Sequence, residues 1–239
     1  MSAATHGLAV TRPEVPSGLV AIPVRTRLVC QGDDLTAIVG AAVEGIARPG
    51  DVIAVSETAL AIAQGEYVPA EYVRPSALAY ALSRRAGALA TVNQPESMQL
   101  VIDRAGPSKV MVATLAHLVG RALGRRGAFY EIMGDSLTAI DGYTGTMPPF
   151  ERAIVFAPRD PDGFAQNVFE SIGPACAVVD ANDLEKAKVL GASRGVRRAT
   201  VEGALLDNPH GNGDEQTPVV VLKWRGPGPN PLMESANRE

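Results

Sequence analysis

One stretch constrains the fold of this chain more than any other: a helical pattern that breaks at Arg48-Pro49-Gly50 and gives way at once to the apolar run Asp51-Val-Ile-Ala-Val-Ser-Glu57. Upstream, Leu35, Ile38, Val39, Ala42, Val43 and Ile46 recur at helical spacing, and Asp33 or Asp34 can cap the first turn by accepting a backbone N–H. The run itself is too short for a helix and reads as a buried strand. Its far end is polar, presenting Ser56, Glu57 and Thr58. Polar groups at the end of a buried strand are held by a rigid element yet remain reachable from solvent.

The alternation of periods continues along the chain. Residues 19–24 read as a strand, and 76–86, 95–104 and 109–123 as helices bounded by glycine or proline. Residues 130–133 read as a strand, 134–149 as turn-rich chain, and 152–157 as a second apolar strand. Asp160 and Pro161 supply the cap and first position of a helix that runs to Ile172. A strand follows over 175–179, ending at Asp180, then a helix over 196–206 and a closing strand over 218–223. The pattern predicts an α+β fold, with a mixed sheet and helices in one two-lobed domain over residues 19–225. Residues 1–18 and 226–239 have the Pro/Gly-rich or charged composition of tails.

With 239 residues the chain can bury a substantial core. Its formal charge of -4 excludes a broad basic field for nucleic acid, leaving only the local cluster Arg121, Arg125 and Arg126. Apolar runs such as 174–179 are far too short to span a bilayer, and residues 1–20 lack a secretory hydrophobic core. A cytoplasmic protein with neither nucleic-acid nor membrane partners is expected. Cys30 and Cys176 have no metal or redox spacing and are expected as reduced, buried thiols.

No phosphate-loop, dinucleotide or nucleophile-elbow motif occurs. The histidines at 6, 117 and 210 are scattered, which argues against a histidine zinc site, and only His210 lies in a candidate site. That site is the segment 206–218, Leu-Asp-Asn-Pro-His-Gly-Asn-Gly-Asp-Glu-Gln-Thr-Pro. Its glycines permit left-handed backbone, its prolines stiffen the ends, and its side chains offer oxygens. Backbone N–H groups around Asn208, Gly211, Asn212 and Gly213 suit an anion. Ser56 and Glu57 are candidates to position a nucleotide or acceptor. Carboxylates at strand ends, Asp141, Asp180 and the pair Asp214 and Glu215, offer the hard oxygens that Mg²⁺ or Mn²⁺ takes, commonly together with nucleotide phosphate. The structural alternatives are that Asp141 starts an Asp-Gly turn, that Asp180 with Asn182 and Asp183 caps a helix, and that 206–218 is a polar connection.

Gly32-Asp33-Asp34-Leu35, Pro49-Gly50-Asp51 through Ser56-Glu57-Thr58, Asp160-Pro161-Asp162-Gly163, Val178-Val179-Asp180 and the late glycine-rich loop occur in one order. In that order they resemble the γ-glutamyl ligases of coenzyme F-420 biosynthesis, from near residue 20 to near residue 225. The resemblance implies an intertwined homodimer, GTP as co-substrate, a small-molecule carboxylate and an amino acid as partners, and divalent metal on acidic residues. Asp141 and Asp180 match the family's metal-binding aspartates, and Glu215 or Gln216 matches the acidic or amide group before the last strand. The chain departs from the family where Ala61-Ile62-Ala63-Gln64-Gly65 replaces Ser-Lys-Ala-Glu-Gly, and where Val179-Asp180-Ala181-Asn182-Asp183 replaces Thr-Asp-Thr-Asn-Gly-Arg. The lost lysine would need Arg125, Arg126 or Arg194 to compensate. The expectation is a metal-dependent, nucleoside-triphosphate-using amide ligase. The alternatives are a non-catalytic nucleotide- or anion-binding protein that retains the fold, and an assembly subunit.

Overall fold

The computed structural model describes residues 16–85, 91–122, 124, 128–134, 140–143, 148–182, 186–211 and 215–234. The strands are β1 (Leu19–Val24), β2 (Val52–Ser56), β3 (Tyr67–Pro69), β4 (Ile140–Tyr143), β5 (Ala153–Phe156), β6 (Ala175–Asn182), β7 (Lys186–Ala192) and β8 (Val219–Trp224). The α-helices are α1 (Leu35–Val43), α2 (Glu57–Ala63), α3 (Ala77–Ser83), α4 (Pro95–Ala105), α5 (Pro107–Ala122), α6 (Ala128–Met133), α7 (Pro161–Ile172) and α8 (Arg198–Ala204).

A five-stranded sheet of order β1-β8-β2-β6-β7 forms the first lobe. β2 and β6 are parallel, and the other neighbours are antiparallel. Ile53 and Val55 face one side with Cys176, Val178, Val219 and Val221, against Leu35, Val39 and Val43 of α1 and Ala165 and Val168 of α7. Val52 and Ala54 face the other side with Ala177, Val220 and Leu222, against Val201 of α8, Leu205 and Leu232. The alternation is the two-residue period of a strand, and cover on both faces explains a strand with no polar interior position.

The second lobe holds the antiparallel sheet β3-β5-β4. Ile140 and Ile154 pack with Met98, Val101, Val110 and Met133 of its helices. Ala153 and Val155 face the other way, with Phe150, onto Ala61 and Ile62 of α2. Helix α2 leaves β2 without an intervening loop, so it joins the polar end of the first sheet to the core of the second.

Local chemistry sets several element starts. Asp34 caps α1 by accepting from Ala37 N at 3.0 Å, while Asp33 shapes the preceding turn. Its carboxylate takes both Arg27 guanidinium nitrogens at 2.7 and 2.8 Å and Cys30 N at 2.7 Å. Those donors pull the Asp33 carboxyl down to about 2. Asp160, in the left-handed region at φ 44, accepts from Gly163 N at 3.0 Å, and Pro161 starts α7. Where β7 crosses that start only glycine fits, since a Cβ on Gly191 would lie 2.2 Å from the Pro161 carbonyl carbon.

The structure departs from the sequence pattern in several places. Residues 130–133 belong to α6, not to a strand, because Ile132 and Met133 pack into the helical cluster and tertiary contact overrides the β-preference of Tyr and Ile. β6 continues past Asp180 into a hairpin with β7, so Asp180 caps no helix. Asp141 lies within β4, beside a register irregularity before Tyr143. Cys30 is exposed, and only Cys176 is buried. The start of the segment whose composition marks a tail is held on the sheet. Leu232 is fully buried, its carbonyl accepts from Arg197 N at 2.8 Å, and Asn230 donates to Gly50 O at 2.6 Å.

Candidate functional site

Strand register decides which ends meet. Ser56 lies opposite Val179, Val219 lies opposite both Val55 and Val24, and Asn182 lies opposite Lys186. The C-terminal ends of β1, β2 and β6 therefore share one edge with the N-terminal ends of β7 and β8. In open sheets with parallel strands, ligands bind outside the carboxyl ends, where the connections diverge. Three hydrogen bonds stitch this edge: Ser56 N to Pro218 O at 2.8 Å, Thr26 N to Gln216 O at 3.0 Å, and Arg25 Nη2 to Gln216 Oε1 at 3.3 Å.

Ser56 is the N-cap residue of α2, but its hydroxyl makes no capping bond, and Glu57 opens the helix. Asp180 stands opposite Lys188 across the β6–β7 pair. The residue is exposed as a whole, yet displacement of water around its carboxyl raises the pKa, with Lys188 opposing. Ser56, Glu57, Asp180 and Gln216 thus come to one edge. Asp141 does not lie on this sheet; it pairs with Val155 in the second. The Asp141 side chain, Asn212, Gly213 and Asp214 lie outside the described residues, as do Arg125 and Arg126. Arg194 stacks 5.5 Å over the Phe169 ring. Among the described residues no cluster of three His, Cys, Asp or Glu side chains could hold a metal ion.

The segment before β8 is tightly turned, with Asn208, Gly211 and Gln216 left-handed at φ 44, 73 and 56. The Glu215 carboxylate folds over Gly211, where a Cβ would lie 2.7 Å from its Cδ. His210 is only 8% exposed, and its Nδ1 lies 3.1 Å from Thr217 O. The Thr217 hydroxyl returns a bond to His210 O at 2.5 Å. Burial pushes the imidazole down to about 4 despite the Thr217 carbonyl, so the ring is neutral at neutral pH. Sequence reasoning placed His210 in the site but missed its clamp to Thr217, and it missed Arg25 and Lys188. The last two become visible only through strand register.

The family model described as F420-0:Gamma-glutamyl ligase matches residues 23–180, well over half of the chain. The chain belongs to the F420-0:gamma-glutamyl ligase family. No curated protein matches it. The matched stretch holds β2 whole and β6 as far as Asp180, while the end of β6, the His210 segment and β8 follow it. Within this γ-glutamyl ligase family member the departures at 62 and 64 have structural counterparts. Ile62 is 5% exposed and packs among Phe150, Ala153 and Val155, where an ammonium would lose its water without a partner. Gln64 accepts from Arg159 N at 2.6 Å and donates to Arg159 O at 2.9 Å. A glutamate carboxylate accepts but cannot donate, so the amide is what ties α2 to the chain ahead of α7.

Proposed function

We propose that the protein is a metal-dependent, nucleoside-triphosphate-using amide ligase that joins an amino acid to a small-molecule carboxylate, with GTP as the nucleotide. The observation that carries this reading is the convergence of Ser56, Glu57, Asp180 and Gln216 on the edge where β1, β2 and β6 end and β8 begins. In the proposed reaction an acceptor carboxylate oxygen attacks the terminal phosphorus and the nucleoside diphosphate leaves. An amine then attacks the acyl carbon, and phosphate and a proton depart.

Asp180 would hold Mg²⁺ or Mn²⁺, with Glu215 and Gln216 as further oxygen donors, and Asp141 would have to join them from the second sheet. The donor chemistry at Asp180 fits, because a partly desolvated carboxylate facing one lysine gains from added positive charge. Gln216 Oε1 already accepts from Arg25 at 3.3 Å, which leaves its second lone pair for an ion. The ion would neutralise charge on the transferring phosphoryl group. Ser56 and Glu57 position the nucleotide or acceptor. The backbone N–H groups of Asn208 and Gly211, expected to take an anion, instead donate to Leu205 O at 2.9 Å and Asn208 O at 3.0 Å, which leaves that role to Asn212 and Gly213.

Replacing Asp180 by Asn keeps the shape and removes the charge. The expected result is loss of metal-dependent nucleoside diphosphate release by at least about a hundredfold, with melting temperature unchanged. Full turnover in Asp180→Asn refutes the metal assignment. A homodimer is part of the proposal and draws support from the exposed stripe Met111, Val112, Leu115 and Val119 on α5. Buried Ile62 favours a second reading, a nucleotide- or anion-binding protein without ligase chemistry. Metal-dependent stabilisation by GTP, with no diphosphate or phosphate released across a panel of carboxylates and amino acids, would select it.

A further inference from the structure

The sheet edge owes its shape to a short segment, and the segment is tied to a buried imidazole. Gln216 O accepts from Thr26 N at 3.0 Å and Pro218 O accepts from Ser56 N at 2.8 Å, so the residue between them, Thr217, stands between the ends of β1 and β2. Thr217 is fixed to His210 twice, through its carbonyl to the ring Nδ1 at 3.1 Å and through its hydroxyl to the His210 carbonyl at 2.5 Å. A backbone carbonyl only accepts, so Nδ1 carries the proton and Nε2 the lone pair. Nε2 is buried with no partner among the described residues. The neighbouring backbone is held in conformations that side chains resist: Asn208 and Gln216 are left-handed at φ 44 and 56 although neither is glycine. Such conformations persist where the surroundings over-determine them.

We infer that His210 is a positioning residue: through the paired bonds to Thr217 it holds Gln216-Thr217-Pro218 in the register that places Ser56, Gln216 and the Arg25 guanidinium at the ligand-binding edge. The inference rests on the ligase reading for what is bound there, and on geometry alone for the clamp. A histidine that merely filled core space would be replaceable by an apolar ring of similar size. One that acts through Nδ1 requires a donor at that atom.

The side chain amides separate the two ring nitrogens. Asparagine places its NH₂ where Nδ1 stands and can still donate to Thr217 O. Glutamine reaches the position of Nε2, and phenylalanine fills the volume without either nitrogen. In His210→Phe, amide hydrogen exchange at Gly211, Glu215 and Gln216 should quicken about tenfold, as expected for loss of one internal hydrogen bond, and His210→Asn should recover most of that protection. With GTP and Mn²⁺, KM should rise about tenfold in His210→Phe while kcat stays within about twofold, and asparagine should restore KM.

Unchanged exchange in His210→Phe overturns the clamp. Recovery by His210→Gln rather than His210→Asn overturns it too, by assigning the role to Nε2. If the variants do not fold, imidazole ¹⁵N shifts of the unaltered protein decide the matter. A proton on Nδ1 is expected, and a proton on Nε2 refutes the inference. Exchange and tautomer are read without ligand, so a protein that shows the clamp yet neither binds nor turns over GTP refutes the ligase reading and leaves His210 in place.

Discussion

The two sheets of this protein are covered differently, and the difference separates what the fold completes by itself from what it leaves open. In the five-stranded sheet, Val52, Ile53, Ala54, Val55 and Leu222 are all at 0% exposure, enclosed by α1 and α7 on one face and by α8 and Leu232 on the other. The three-stranded sheet is also covered on both faces, by α2 and by the helical cluster. Yet the outer helix α5 turns Met111, Val112, Leu115 and Val119 to solvent at 61, 60, 63 and 51% exposure. A contiguous apolar stripe of that kind asks for another surface. The first lobe carries the candidate residues Ser56, Asp180 and Gln216 on a finished scaffold, whereas the second carries unspent apolar area.

The sharpest contrast is leucine against leucine. Leu222→Ala should destabilise the protein by about 2–5 kcal/mol in denaturant unfolding, because a cavity opens in a sheet that cannot collapse around it. Equal tolerance at Leu222 and Leu115 would erase the distinction between the lobes.

A second test asks whether the sheet edge shares that rigidity. The His210 imidazole is neutral in the fold down to about 4 but takes a proton near 6.5 when the chain is unfolded. Between those values the unfolded state binds more protons, so stability rises with pH across this window and is fully present above it. Acidification from pH 7 to pH 4 should remove on the order of 3 kcal/mol through this group. The part of the slope absent from His210→Asn is its share, and an identical profile in the variant would show the ring to be hydrated and the edge loose.

A smaller effect is expected at the opposite end of the sheet, where Lys223 and Asp51 pair with both side chains 13% exposed. Asp51 also accepts from Arg48 N at 2.8 Å. Asp51→Asn should cost about 1–3 kcal/mol by leaving a mostly buried ammonium poorly compensated, read as a drop in denaturation midpoint at unchanged slope. Least costly of all, Leu115→Ser should change unfolding of the isolated chain by less than about 0.5 kcal/mol. The same change should weaken self-association in sedimentation if α5 is the face a second copy covers. Self-association that is indifferent to Leu115→Ser would move the dimer contact elsewhere.

Most of the first lobe was legible because its signals are local. Asp34 and Asp160 announce helix starts by their ability to accept from the first turn, and the run at 52–55 announces a buried strand by having no polar position. The 130–133 segment was illegible because Tyr and Ile suit a strand locally, while packing of Ile132 and Met133 decides for a helix. β7 escaped notice because its burial is broken and Gly191 sits within it, a residue explained only by the approach of Pro161. The candidate site was legible as a set of residues and illegible as an arrangement. Ser56 and Asp180 could be named from their places at polar strand ends and Gln216 from the family resemblance, but the partners Arg25, Lys188 and Thr217 follow from register and from the left-handed turns between 208 and 216.

The amino-acid sequence by itself determined the kind of most first-lobe elements, the buried identity of β2 and the family, since each rests on periodicity, capping chemistry or the order of short motifs along the chain. The tertiary structure alone decided which strand ends share an edge, why position 62 accepts isoleucine, and why an imidazole sits neutral beneath Gln216 and Pro218. These depend on register and burial between segments far apart in sequence, where pairing energy and lost hydration act and no local pattern records them.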